Sequence, residues 1–274
     1  MHPIERLRYV ARASGADQAL LVRETAHALS AFRDDPAGLV AACRRIIERH
    51  PTSGPLWWLC ARVLTAPDGH REAWAAAEEI ESDPTAGELA FALPDDARVC
   101  VVGWPETAAA SLVQRGDVEV LAVDVVGEAT GLVRRLHQAG VDAEEVPASA
   151  LGSAVSAADL VLLEAVALGP PGFVAISGSL AAASVARQAG VAVWAVAGVG
   201  RRLPERMWAA LSQRLTAGPD EPWELDEEVV PLTLVDQVWG PGGPVEPAAA
   251  LLGTDCPVAP ELFQGGSAPG TFRR

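Results

Sequence analysis

The sequence predicts an α/β protein in which an N-terminal all-helical domain is followed by a Rossmann-like doubly wound parallel sheet. Two observations predict this fold class. Before residue 92, apolar residues recur at spacings of three and four, which is typical of amphipathic helices. After residue 96, apolar runs of four to six residues alternate with helical segments of about ten residues, which is the pattern of βαβ units.

The N-terminal third contains helical patterns and no strand pattern. Apolar positions predict helices over residues 19–32, 39–47, 56–64 and 71–80. Between the second and the third of them, Pro51 and Pro55 interrupt the pattern, and Thr52 or Ser53 is placed to cap the helix that follows. We assign residues 1–92 to this helical domain.

The next region, residues 96–252, is the Rossmann-like domain. Strands are predicted over residues 99–102, 118–123, 141–146, 160–163 and 191–196, with helical segments after them. Beyond Pro219 the alternation decays, and no further strand is predicted. Residues 253–274 are expected to form a partly disordered C-terminal segment that ends in a frayed tail, Gly265–Arg274.

The charge balance excludes several classes of function. The 36 acidic residues outnumber the 21 basic ones and give a net charge of −15. This charge repels a phosphate backbone, so no nucleic-acid partner is expected. The basic side chains are all arginine, and the absence of lysine excludes a Schiff-base lysine and the lysine of a phosphate-binding P-loop.

Cysteine and histidine usage predicts no metal site and no cofactor. The four cysteines are scattered without a C-x-x-C pair, and the five histidines lack the spacing of metal ligands. The start of the chain does not read as a signal peptide, and charged residues and glycines interrupt the most apolar stretches, so neither secretion nor a membrane span is expected. We therefore expect a cytoplasmic protein with reduced thiols.

Ligands of open α/β sheets bind at the carboxyl ends of the strands. In chain order, these ends give the candidate residues Gly103, Trp104, Glu106, Asp124, Glu164, Ser177, Gly178 and Ser179. The turn over residues 177–179 is the candidate for binding an anion, because its glycine lets a ligand approach the backbone and the next helix offers free N–H groups. An ordinary helix cap would produce the same three residues.

Three carboxylates are candidates for acid–base chemistry. Glu164 stands in an apolar run, where a buried carboxylate needs a partner, and an ion pair with an arginine explains it equally well. Asp124 could hold a sugar hydroxyl or be a solvated strand end, and Glu106 opens the helix after the first strand. No G-x-G-x-x-G fingerprint and no Ser-His-Asp set accompanies them.

Several segments, spread over most of the chain, resemble one known superfamily. They are 50–58, similar to R-P-T-A-V-N-L-x-W; 138–141, similar to an "AGI" turn; 158–166, similar to V-D-x-V-I-V-G-A-D; and 172–179, similar to G-x-V-x-N-K-I-G-T. The superfamily contains the alpha, beta and delta subunits of translation initiation factor 2B, methylthioribose-1-phosphate isomerase and ribose-1,5-bisphosphate isomerase. The chain resembles a divergent bacterial member of it.

The resemblance implies a homodimer formed through the sheet domain and a phosphate-binding pocket. The pocket residues that it implies are His50, Thr52, Gly103, Trp104, Ser177, Gly178 and Ser179. The departures fall on the groups that the isomerases use to move protons between C1 and C2 of the open sugar phosphate. Residues 102–105, which match the isomerases' cysteine segment, contain no cysteine, and Val166 stands where the isomerases have their catalytic aspartate. Cys100 is predicted to lie inside the first strand as inert packing.

Three hypotheses on function follow. The preferred one is a catalytically degenerate subunit, a pseudoenzyme, that binds a phosphosugar or nucleotide or has a regulatory role. The second is an active aldose–ketose isomerase or related enzyme on a phosphorylated ribose, with Glu106, Asp124 or Glu164 as base. The third is a structural protein-interaction subunit without ligand. The expected partners are a phosphorylated small molecule and a second copy of the chain.

Overall fold

The computed structural model describes residues 18–216, 221–251 and 253–263. Its first part is helical, with helices α1 (Gln18–Leu29), α2 (Pro36–Arg49), α3 (Gly54–Thr65), α4 (Gly69–Glu81) and α5 (Thr85–Ala92). Short acidic side chains start two of them. The Asp35 carboxylate accepts the Gly38 N–H at the start of α2, and the Asp68 carboxylate accepts the Arg71 N–H at the start of α4.

The α/β part follows. Its strands are β1 (Arg98–Val102), β2 (Glu119–Asp124), β3 (Asp142–Pro147), β4 (Leu160–Glu164), β5 (Ala167–Gly169), β6 (Gly172–Ile176), β7 (Ala192–Val196), β8 (Glu227–Pro231), β9 (Gln237–Gly240) and β10 (Gly243–Val245). Its helices are α6 (Glu106–Arg115), α7 (Ala129–Gln138), α8 (Leu151–Ala157), α9 (Ser179–Ala189), α10 (Glu205–Thr216) and α11 (Pro247–Ala250). Among the described helices, none is long and apolar enough to cross a membrane.

Seven of the described strands form one sheet in the order β10-β9-β7-β4-β1-β2-β3. Neighbouring strands are parallel, except that β10 pairs antiparallel with β9 at the edge. From the central pair β1 and β4, the chain adds β2 and β3 on one side and β7 and β9 on the other. This is the doubly wound topology that the sequence predicts, so the predicted fold class is confirmed.

Strands continue beyond Pro219, where the pattern in the sequence decays. β8, β9 and β10 all lie beyond this residue, and β8 joins β5 and β6 in a separate antiparallel sheet of order β5-β6-β8. β9 and β10 contain four and three residues, with Pro241 between them and Pro244 inside the second. Strands this short, broken by proline at a sheet edge, show no apolar run in the sequence.

The buried side chains of the helical part belong to a core that it shares with the α/β part. Trp57 and Trp58 are fully buried in it, together with Ala167 of β5, Val174 of β6 and Trp208 of α10. The predicted boundary between residues 92 and 96 therefore marks a change of secondary structure, while one hydrophobic core crosses it. As a boundary between domains it stays a prediction.

Residues 253–263 form a strap across the helical part, which we call the C-terminal strap. Three of its side chains are buried in the shared core: Cys256, Ala259 and Leu262. The Asp255 carboxylate accepts the indole N–H of Trp58 at 3.0 Å. This part of the C-terminal segment is packed, and the predicted frayed tail, Gly265–Arg274, lies outside the described residues.

Leu262→Ala should lower the free energy of unfolding by about 2–4 kcal/mol, because truncating a buried leucine leaves a cavity. Leu262 is 2% exposed. Urea unfolding followed by circular dichroism measures the loss. The matched control is Val258→Ala, at a position of the same strap that is 37% exposed, and it should cost less than about 1 kcal/mol. Equal losses in the two variants would contradict the packing of the strap.

Candidate functional site

The switch point of the sheet lies between β1 and β4, where the strand order reverses. Open α/β sheets bind their ligands just outside this point, at the carboxyl ends of the strands. Helix α6 begins here after β1, and the segment that follows β7 reaches the same place. The structure brings Glu164, Thr107 and Arg201 together at this edge.

Glu164, the last residue of β4, caps helix α6. Its Oε2 accepts the backbone N–H of Thr107 at 2.8 Å and that of Ala108 at 3.1 Å. The cap comes from another strand because the N-cap residue of α6 is Pro105, which has no side-chain oxygen. The carboxylate also faces the positive end of the helix dipole. Glu164 is therefore the anion at the N-terminus of α6.

The other oxygen of Glu164 is paired with Arg201. Arg201 Nη1 lies 2.7 Å from Glu164 Oε1, and the Thr107 hydroxyl donates to the same oxygen at 3.1 Å. Arg201 Nη1 also donates to the Ala165 carbonyl at 2.7 Å. The side chains of Arg201 and Glu164 are only 8% and 9% exposed. Because water barely screens this pair, each partner depends on the other for its burial.

Both oxygens of the Glu164 carboxylate are engaged within the protein. The carboxylate accepts three of the about four hydrogen bonds that it can accept, two from backbone N–H groups and one from a hydroxyl, and it forms the ion pair with Arg201. A general base needs a free oxygen within reach of the substrate proton. The geometry matches the ion pair that the sequence left open, and a role of Glu164 as base stays a prediction.

Asp124 and Glu106 also have partners within the protein. Asp124 Oδ1, at the end of β2, accepts the N–H of Gly127 at 2.9 Å and that of Ala129 at 3.3 Å, at the start of α7. Glu106 Oε2 accepts the backbone N–H of Gln18 at 3.1 Å and so connects α6 with α1. Both candidate bases therefore serve as structural acceptors.

The carboxylate of Glu228 on β8 caps helix α9. Its Oε1 accepts the Leu180 N–H at 2.9 Å. The N-cap residue of α9 is Gly178, which has no side chain to cap with and adopts a φ of +97° that favours glycine. Ser179, the first residue of the helix, is buried. The predicted anion-binding turn thus already has a carboxylate against the N-terminus of its helix.

Ser177 is engaged on the other side of this turn. Its hydroxyl donates to the Leu225 carbonyl at 2.5 Å, and its N–H donates to the Asp226 carbonyl at 2.8 Å. A phosphate entering here would compete with Glu228 for the helix N-terminus, and its charge would be repelled by the neighbouring acidic side chains. Phosphate binding by residues 177–179 stays a prediction.

Gly103 and Trp104, which follow β1, are both packed closely against neighbouring residues. Gly103 has a φ of +65°, and a Cβ at this residue would lie 2.5 Å from Cδ1 of Ile176. Trp104 covers α7, since a Cβ at Gly131 would lie 2.6 Å from the Trp104 ring. Glycine is required at both contacts because the larger neighbour takes the space.

The loop before α3 reaches this edge from the helical part. The Gly54 N–H donates to the Val166 carbonyl at 3.2 Å, and the Thr52 side chain lies beside the Glu227 carboxyl at the start of β8. The segments that resemble the superfamily's pocket therefore do meet in space. Burial raises the pKa of Glu227, the charge of Asp226 adds to the rise, and the Thr52 side chain opposes it.

His50 and Cys100 are the remaining candidates. Burial, reinforced by the charge of Arg49, lowers the pKa of His50, and its buried Nε2 has no hydrogen-bond partner within the part of the chain that the structure describes. Cys100 is fully buried in β1, and burial raises the pKa of its thiol to about 12. The predicted position of Cys100 inside the strand is confirmed, and a thiol with such a pKa is a poor nucleophile.

Three residues of this edge are found only in the structure: Arg201, Glu227 and Glu228. The sequence contains a signal for Arg201, because this residue closely follows the predicted strand 191–196. The carboxyl end of that strand lies at the same edge of the sheet as Glu164. The two glutamates lie in a strand that the sequence does not reveal. No group of three or more His, Cys, Asp or Glu side chains is placed to hold a metal ion, as far as the described residues show.

The fold and this edge define a class of protein: a helical N-terminal part packed against a doubly wound sheet, with internal carboxylates at the carboxyl ends of the strands. Among solved structures, translation initiation factor 2B subunits share the fold of this chain. No protein-family model and no curated protein sequence matches the chain.

Three solved structures illustrate the likeness. The translation initiation factor eIF-2B of Pyrococcus horikoshii OT3 is 13% identical, with a TM-score of 0.76 over 91% of this chain and 98% of that one. The eIF2B beta of Chaetomium thermophilum is 16% identical, with a TM-score of 0.69 over 95% and 92%. A chain of the tetrameric eIF2B-beta2-delta2 complex of C. thermophilum is 18% identical, with a TM-score of 0.73 over 90% and 92%.

Glu164→Ala should lower the free energy of unfolding by about 3–5 kcal/mol, because it leaves Arg201 buried without its partner and α6 without its cap. Urea unfolding measures the loss. The control is Glu119→Ala, which removes one partner of the Arg98–Glu119 pair, whose side chains are 43% and 38% exposed. It should cost less than about 1 kcal/mol. Similar losses in both variants would show that the Glu164 pair is not the stronger one.

Glu227→Gln should raise the melting temperature at neutral pH, and the gain should vanish near pH 4. The raised pKa means that the folded state favours the protonated carboxyl. Relative to the amide, the wild type therefore loses stability as the pH rises from about 4.3, the unfolded value, through the folded pKa. Thermal unfolding from pH 4 to 8 measures this difference.

The control for this pH series is Glu224→Gln, which alters an exposed carboxylate a few residues earlier. Its melting temperature should follow that of the wild type at every pH of the series, because substitutions of exposed side chains away from the core change stability by less than about 0.5 kcal/mol. If the curve of Glu227→Gln also ran parallel to that of the wild type, the burial of the Glu227 carboxyl would be refuted.

Proposed function

We propose that this protein is a catalytically degenerate subunit with the initiation factor 2B fold, which acts by associating with other protein chains. The observation that carries the proposal is the Glu164–Arg201 pair, which stands at the switch point where a catalytic member would bind its substrate. The cap on α6 and the ion pair make this carboxylate part of the framework.

The chemistry of the edge supports a non-catalytic role. An aldose–ketose isomerase needs an acid and a base beside the substrate. The positions that resemble its catalytic pair hold no cysteine at residues 102–105, where the first strand ends, and Val166 in place of the aspartate. The carboxylates that could replace them, Glu164, Asp124 and Glu106, are bound to backbone N–H groups. An active isomerase is therefore the weaker hypothesis.

The charges of the edge argue against a phosphorylated ligand. Helix N-termini attract phosphate only while their N–H groups are free. Three helices that begin at this edge, α6, α7 and α9, already have carboxylate oxygens on those groups. The net charge of −15 adds a repulsive field for any anion. We infer that the subunit keeps the fold of the superfamily and not its phosphate pocket.

A second copy of the chain is the first partner that we propose. Phe91 on α5 is 90% exposed, and α5 packs beside the edge strand β10. A large exposed aromatic side chain next to a sheet edge is typical of a protein contact. A homodimer through the sheet part is also what the resemblance implies, and the C. thermophilum complex named above is a tetramer of beta and delta subunits.

The purified protein should not convert methylthioribose 1-phosphate or ribose 1,5-bisphosphate, and phosphate, ribose phosphates and nucleoside monophosphates should leave its melting temperature unchanged. A ligand present at a hundred times its Kd would add about 2.7 kcal/mol and several degrees. Turnover would refute the non-catalytic role. A thermal shift that Ser179→Glu abolishes would restore the phosphosugar hypothesis.

Light scattering on the same sample should give a dimer of the 28.5 kDa chain. Phe91→Glu should give monomers that keep the circular dichroism spectrum of the folded wild type, because it places a charge in the proposed contact without touching the core. Their melting temperature should fall only by the stabilisation that association supplies. Val126→Glu, at a position 37% exposed in the loop after β2, is the matched control and should remain dimeric. A monomeric wild type would refute the homodimer.

A further inference from the structure

The turn before β8 exposes a tryptophan. Residues 222–224 form a single helical turn, and the Glu224 N–H donates to the Glu221 carbonyl at 3.0 Å. Trp223 is 79% exposed, more than any of the other seven tryptophans of the chain. Tryptophan is enriched among the residues that dominate protein interfaces, so an exposed tryptophan on a turn is available as a contact residue.

The backbone that follows Trp223 is anchored, which holds the C-terminal side of the turn in a defined position. The Ser177 hydroxyl and N–H bind the carbonyls of Leu225 and Asp226. Two residues further on, Glu228 is bonded to the Leu180 N–H. Strand β8 then pairs with β6. Because the turn is already ordered, binding through it loses little conformational entropy.

Acidic side chains without a cationic partner surround this tryptophan. Glu221, Glu224 and Asp226 are exposed, and none of them takes part in an ion pair within the described residues. The face of an indole ring attracts cations, and nearby carboxylates strengthen this attraction. The aromatic ring and the charges therefore favour the same kind of ligand group.

We propose that the turn of residues 221–226 docks a basic, arginine-containing segment of a partner protein, with a guanidinium stacked on the Trp223 ring. This inference rests on the proposed function and names the chemistry of one partner. Nucleic acids and anionic membranes carry the same sign of charge as the turn and are repelled. A second copy of the chain also has a net charge of −15, which disfavours its approach to this surface.

The probe is a short peptide of alternating arginine and glycine, added to the full chain labelled with fluorotryptophan. In fluorine NMR, the Trp223 signal is assigned by its loss in Trp223→Phe. The peptide should shift this signal in a saturable way, and the affinity should fall as salt rises. The signal of Trp74, which is 39% exposed on α4, should not move and serves as the internal control.

Matched peptides and variants separate charge from stacking. A peptide with citrulline in place of arginine has the same shape without the charge and should not bind. Calorimetry should show binding of the arginine peptide weakened roughly tenfold or more in Trp223→Ala, because both the ring and its desolvated contact are lost. Glu221→Gln with Glu224→Gln should weaken it and reduce its salt dependence, whereas Phe91→Ala should leave it unchanged.

The possible outcomes decide the proposal independently of the proposed function. No saturable shift with the arginine peptide, or equal affinity in Trp223→Ala, overturns it even if the protein lacks isomerase activity. Conversion of a wild-type dimer to monomers by Trp223→Ala also overturns it, because the turn would then bind a second copy. Because the ring is exposed, an unchanged melting temperature of Trp223→Ala is expected and rules out misfolding as the cause of lost binding.

Discussion

The contact between Glu164 and the N-terminus of α6 is the interaction on which the rest of the site depends. It satisfies two backbone N–H groups that Pro105 leaves uncapped, and it balances the buried charge of Arg201. A water molecule or a bound anion could satisfy the N–H groups, but neither would be linked covalently to the sheet. By using a strand residue as the cap, the chain connects the position of α6 to the end of β4.

The same device joins the helical part to the sheet. The Asp83 carboxylate accepts the Thr85 N–H at the start of α5 and, with its other oxygen, the Val199 N–H after β7. Together with the contacts of Gly54 and Thr52 at the strand ends, this bond holds the helical part against the carboxyl ends of the strands. In this chain, carboxylate side chains occupy helix N-termini that in other proteins can bind a free anion.

The sequence predicts the layout of the sheet better than the chemistry of its edge. Apolar runs identify β1, β2, β4 and β7, since strands buried on both faces are continuous in the sequence, whereas β3 is an edge strand with mostly exposed side chains. The partner of Glu164 could be expected only as some arginine, and the cap from Glu228 to Leu180 could not be expected at all. These contacts join residues 37 to 48 positions apart (201 minus 164, and 228 minus 180), a distance at which a single sequence has no periodic signal.

The acidic composition has two different roles in this structure. Inside, Glu164, Asp124 and Glu228 replace the anion that the fold would otherwise attract to its helix N-termini. Outside, exposed carboxylates around Trp223 remain without partners in the described part of the chain. The internal carboxylates occupy the N–H groups that a phosphate would bind, and the exposed carboxylates attract a cationic surface. On the proposed function, a partner would be recognised at the surface around Trp223 and not at the carboxyl ends of the strands, because the carboxylates on those helix N-termini carry the same sign of charge as a phosphate.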